Sequence, residues 1–122
     1  MKVRIKGNSI RMRITKTEVS QLFKTGYIQE ETQFINSTFT YALITEADVL
    51  EMTATFEDNK LTIVLPLGSI EDWENSKKVG FSNSISLTDG KKLSLLVEKD
   101  FTCLEDRGED ESENYPNPKL QH

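Results

Sequence analysis

Along residues 2–6 and 9–15 apolar and polar positions alternate strictly, with Val3, Ile5, Ile10, Met12 and Ile14 on one side and Lys2, Arg4, Lys6, Arg11 and Arg13 on the other. A period of two belongs to a strand with one buried face. Gly7-Asn8 between the two runs is a two-residue hairpin signal, because both residue types tolerate positive φ. The period then changes. Thr15-Lys16-Thr17-Glu18 reads as a capping box, Val19, Leu22 and Phe23 follow at helical spacing, and Gly26 closes a short helix over residues 16–25.

Period two returns from Tyr27 to Pro66. Residues 27–35 form a weak strand broken by Gln29, Glu30, Glu31 and Gln33, and Asn36-Ser37 turns the chain into residues 38–45, where Phe39, Tyr41 and Leu43 share a side. Glu46-Ala47-Asp48 is a further turn. Residues 49–57 set Leu50, Met52, Ala54 and Phe56 against Glu51, Thr53, Thr55 and Glu57, and Asp58-Asn59 leads into the apolar run 61–65. Pro66 ends that strand because it has no N–H to donate. Ser69, with Asp72 three residues on, predicts the cap of a second short helix over 69–76 that carries Ile70 and Trp73 inward. Val79, Phe81 and Ile85 start the next strand, Asp89-Gly90 makes a third hairpin turn, and Leu93, Leu95, Val97 and Phe101 continue in phase. The expected fold is α+β: a mostly antiparallel sheet of about eight strands in hairpins, curled into a sandwich or open barrel, in the order β-β-α-β-β-β-β-α-β-β. No βαβ crossover and no internal repeat is evident in the pattern.

After Phe101 the period is lost. The division expected is one domain over residues 1–104 and an acidic, proline-ended tail over 105–122. The 122 residues suffice for a core without disulfides, and Cys103, the sole cysteine, has no partner within the chain. That usage fits a reducing cytoplasm, no apolar run approaches the length that spans a bilayer, and the alternating amino terminus is not a signal peptide.

Charge sharpens the picture. Residues 1–16 carry six cations and no acid, whereas residues 98–114 carry eight acids against Lys99 and Arg107, in a chain of net charge -5. The first five cations form one sheet face, so Arg4, Arg11 and Arg13 are candidates for a binding surface, with Glu109, Asp110 and Glu111 as an acidic counterpart that could fold back on it. The partner would be a protein or a small anionic ligand. Nucleic acid is disfavoured, since readers of single strands interleave aromatics with cations and residues 1–16 contain none. Barrels that hold triphosphates in a cationic tunnel need an acidic Glu-x-Glu-x-Lys strand, which is missing.

Other chemistry is sparse. Asp106, Glu109, Asp110 and Glu111 are hard-oxygen candidates for a divalent cation, but Glu105, Asp106 and Arg107 before Gly108 fail the EF-hand spacing, and no cofactor is predicted. Cys103 and His122 alone fall short of a zinc ligand set. As a nucleophile Cys103 lacks a base, and neighbouring acids oppose its thiolate. Lys99 lies in phase with Leu95, Val97 and Phe101, which aims it at the core; a buried lysine could act as a base, but a strand end or bulge would return the ammonium to water, Glu98 or Asp100. Trp73 reads as a core anchor. These readings favour a non-catalytic binding or interaction module, with a metal-dependent enzyme at the C-terminal acids, or a binder of small anions on the arginines, as alternatives.

Lys2-Val3-Arg4-Ile5-Lys6-Gly7-Asn8-Ser9-Ile10-Arg11, then Thr15-Lys16-Thr17-Glu18-Val19, and at the other end Glu98-Lys99-Asp100-Phe101-Thr102-Cys103-Leu104, Glu109-Asp110-Glu111 and Pro116-Asn117-Pro118, together resemble a family of small bacterial proteins of unknown function. The resemblance implies a bacterial origin and a single domain, and carries over no catalytic residue.

Overall fold

The computed structural model describes residues 1–100. The expected boundary at 104 and the tail 105–122 lie outside the described residues. Eight strands follow in chain order: β1 (Lys2–Lys6), β2 (Ser9–Ile14), β3 (Tyr27–Gln33), β4 (Thr38–Glu46), β5 (Thr53–Glu57), β6 (Lys60–Pro66), β7 (Gly80–Ser86) and β8 (Lys92–Lys99). One α-helix, α1 (Lys16–Thr25), lies between β2 and β3. The α+β class holds.

Every hairpin inferred from the pattern is present. Asp58 and Asn59 turn β5 into β6 with φ of 52° and 62°, the left-handed geometry of a tight hairpin turn, and Gly7 turns β1 into β2 at φ 56°. The third turn is longer: β7 and β8 pair from Ser86↔Lys92, so five residues including Asp89-Gly90 lie between them. Helix α1 starts at the capping box, in which the Glu18 N–H donates to Thr15 Oγ1 at 3.2 Å and the Thr15 N–H donates to Glu18 Oε1 at 2.8 Å. Gly26 ends it in the left-handed conformation, with its N–H on the Leu22 carbonyl.

Three expectations are corrected. Four of the six strand pairs are antiparallel, as expected, but both sheets are mixed: one has the order β1-β2-β8-β7, the other β3-β4-β6-β5, and the central pairs β2/β8 and β4/β6 run parallel. Local turns specify hairpins, and nothing local specifies which hairpin lies beside which. The second helix is two short 3₁₀ turns, Leu67–Ile70 and Trp73–Asn75, without a side-chain cap from Ser69 or Asp72. The backbone leaves helical geometry at Asp72 (φ -109°, ψ 5°), which divides the segment into single turns. They still bury Ile70 and Trp73, which is what the spacing had required. Finally, β5 starts at Thr53, so Leu50 falls in the preceding connection and is 95% exposed.

Both sheets contribute to one core, with Met12, Ile14, Leu95 and Val97 from the first and Ile28, Leu43, Leu61, Ile63 and Leu65 from the second. Val19 and Leu22 of α1 and Ile70 and Trp73 of the 3₁₀ turns complete it. Each such side chain removed from water contributes about 1.5–3 kcal/mol. Trp73 donates its indole N–H to the Lys78 carbonyl at 2.9 Å and meets Phe81 edge-on at 4.8 Å, so the large ring is buried with its polar atom satisfied. Gly80 is the closest backbone approach: a Cβ there would sit 2.1 Å from the Val97 carbonyl oxygen.

Candidate functional site

The cationic face is built by the register of β1, β2 and β8. Antiparallel pairing sets Lys2 opposite Arg13 and Arg4 opposite Arg11, and parallel pairing sets Glu98 beside Arg13. Because the partners Val3, Met12 and Val97 of the same strands turn toward the core, these charges all emerge on the outer face. Two like-charged cross-strand pairs oppose hairpin formation. A sheet designed for stability alone would not place them so.

Among the described residues, two carboxylates answer them. Glu98, 13% exposed, accepts from Arg13 Nε at 2.8 Å and lies 3.0 Å from Arg11 Nε through the same oxygen. Lys2 reaches Asp100 at 3.5 Å. Among the described residues this face therefore carries Lys2, Arg4, Lys6, Arg11, Arg13 and, at the far end of β8, Lys92 against Glu98 and Asp100. A cavity of about 230 Å³ opens between Lys2, Val3, Arg4, Arg11 and Arg13, and a second depression of about 270 Å³ continues past Arg4 and Arg11 to Lys6, Ser9 and Leu96. Together they make a shallow cationic trough with guanidinium groups on its walls. Guanidinium forks match carboxylate and phosphate oxygens in pairs, so what the trough can do chemically is hold an anion. A wider cleft of about 450 Å³ lies along α1, where Lys16 and Lys24 line it together with Glu74 and no guanidinium group.

The sequence candidates fall as follows. Arg4, Arg11 and Arg13 are brought together, as the alternation implied. Lys99 ends β8 half-buried, and instead of Glu98 or Asp100 its ammonium meets the Ser76 carbonyl, to which it donates at 2.9 Å, and the Trp73 ring, over which it sits at 5.6 Å. The 3₁₀ turn supplies a carbonyl and an aromatic face just where the strand leaves the core, which satisfies the charge without a bulge. Cys103, Asp106, Glu109, Asp110, Glu111 and His122 lie outside the described residues. Among the described residues no group of three His, Cys, Asp or Glu stands together as a metal site. The residue that sequence reasoning missed is Glu98. Alternation in β8 put it on the outer face, but only the parallel pairing with β2 makes it the arginines' counter-ion.

A second charged cluster sits at the start of α1. The Met1 amine donates to Glu18 Oε2 at 2.8 Å and to Glu30 Oε2 at 3.4 Å. Burial alone would push the Glu18 carboxyl up, but hydrogen bonds from the amino terminus and from the Thr15 N–H outweigh it and hold the group below its ordinary value. Across from it, burial and the nearby Glu30 carboxylate push the Tyr41 hydroxyl up. This cluster ties the chain start to α1 and β3, with one ammonium set between two carboxylates.

A two-sheet α+β protein whose distinguishing chemistry is a cationic sheet face is the class these observations define. The chain belongs to the Family of unknown function (DUF7009), which matches residues 1–119. No curated protein and no solved structure matches it. No helix among the described residues is long and apolar enough to cross a membrane.

Proposed function

We propose that this chain is a non-catalytic binding module that takes an anionic group of a protein or small ligand on the outer face of β1, β2 and β8, and that its own acids at 105–113 compete for that face. The observation that carries the reading is the convergence of Lys2, Arg4, Arg11 and Arg13 around one trough, at a cost in cross-strand repulsion. Glu98 holds two of the guanidinium groups in place, and an arriving carboxylate or phosphate competes for their remaining donors. The acids Glu109, Asp110 and Glu111 supply such carboxylates at high local concentration from within the chain. A reducing cytoplasm is the compartment the single cysteine fits.

The test is retention on an immobilised polyanion as salt is raised. Glu109→Gln, Asp110→Asn and Glu111→Gln together should move elution to higher salt, and Arg4→Gln with Arg11→Gln should move it to lower salt. Both shifts should vanish near 1 M salt, where charges are screened beyond about 3 Å. Elution of the arginine variant at the parent's salt concentration would overturn the reading.

A further inference from the structure

The two sheets are copies of each other in connectivity. Exchanging β1-β2-α1-β3-β4 for β5-β6-3₁₀ turns-β7-β8 converts the order β1-β2-β8-β7 into β5-β6-β4-β3, which is the second sheet read from its other edge. The exchange also holds at the level of single hydrogen bonds. Ser94 donates to Asn8 and Thr40 to Asn59, each at 3.0 Å; Thr45 donates to Gly26 at 3.1 Å and Lys99 to Val79 at 2.9 Å; Phe34 donates to Ser37 and Leu87 to Lys91, each at 2.7 Å. In the parallel pairs Met12 faces Val97 as Ile63 faces Leu43, and Ile14 faces Lys99 as Leu65 faces Thr45. Val19 and Leu22 of α1 correspond to Ile70 and Trp73, all four buried.

Each half gives one hairpin to each sheet, so neither sheet exists within one half. The contact between halves is the core itself plus two parallel strand pairs, and the only covalent link across it among the described residues is the connection 47–52 between β4 and β5.

We propose that the chain is a covalently fused two-fold dimer of one β-β-α-β-β unit, and that the interface between its halves fits a second copy of the chain, which enters by exchanging halves. Exchange recreates every contact of the closed chain, so its balance is set by the connection alone. The outer faces, which the interface does not use, have diverged: the positions corresponding to Arg4, Arg11 and Arg13 are Thr55, Thr62 and Val64. The cationic trough therefore occurs once per chain, not twice.

Geometry provides the test. Thr53 and Glu46 lie on strands separated by β6, about 9.6 Å apart across the sheet, and are also offset along it, because Glu46 pairs with Pro66 and Thr53 with Val64. Deleting Ala47–Glu51 leaves two Cα steps, which reach at most about 7 Å, so the shortened chain cannot close on itself. Sedimentation should show a species of twice the parent's mass that keeps the parent's far-ultraviolet circular dichroism and survives dilution. As a second variant, a protease site replacing Ala47–Leu50 in the full chain should allow cutting without separation, the two pieces sedimenting as one particle. A shortened chain that folds at the parent's mass overturns the proposal. So do cut pieces that part under native conditions.

Discussion

Replacing Glu98 with glutamine preserves shape and removes one charge, and its effects on stability and on anion binding should have opposite signs. Glu98 meets Arg13 at 2.8 Å and Arg11 at 3.0 Å, with the arginines 39% and 36% exposed. Pairs this open to solvent contribute about 0.2–1 kcal/mol each after screening, so losing both costs about 1 kcal/mol in total. For a domain of this size that lowers the melting temperature by about 4 °C. The same change leaves the cations of the trough one negative charge short, and about 1 kcal/mol of released attraction tightens a bound anion about fivefold. Melting followed by circular dichroism at low salt, beside titration with a short polyanion, reads both numbers. In 1 M salt each difference should collapse. If Glu98→Gln melts with the parent at low salt and binds the polyanion no better, Glu98 is not the counter-ion of this face and the trough is not held by it.

Acid should act through Glu18. Its folded-state pKa is depressed, so its stabilisation is fully present above the ordinary value of 4.5 and is lost as pH falls through and below that value; Glu18→Gln should flatten the drop in melting temperature between pH 5 and pH 3, and a parallel drop in both proteins would refute this. Gly80→Ala should cost about 3 kcal/mol in urea unfolding, because the new Cβ meets the Val97 carbonyl and Glu98 Cα, both backbone, while Gly68→Ala, with nothing within 4 Å, should stay within about 0.5 kcal/mol.

What could be read from the residues was local. Thr15, Glu18 and Gly26 marked both ends of α1, and Asp58-Asn59 marked a tight turn, because caps and turns are decided by a handful of neighbouring atoms. Alternation assigned faces correctly for Met12, Leu43 and Val97. It could not assign neighbours: a strand buried on one face looks the same whether Glu98 or a solvent edge lies beside Arg13. The twofold arrangement was hidden for a related reason. Leu22 corresponds to Trp73 and the helix to two 3₁₀ turns, so burial is shared where residue identity and local conformation are not.

The parallel pairing has a consequence in time. Arg13 meets Glu98 85 residues later in the chain, and at about 5–20 residues per second of synthesis the first hairpin waits roughly 4–17 s on the ribosome before its neighbour in the sheet exists. During that interval any β1–β2 hairpin that forms has an apolar inner face and an unpaired β2 edge, the kind of surface on which nascent chains from adjacent ribosomes pair wrongly. Its other face bristles with like charges. Two such hairpins repel each other, and the repulsion eases when β8 arrives with Glu98, so the cations that make the trough also guard the strand until its proper partner is made.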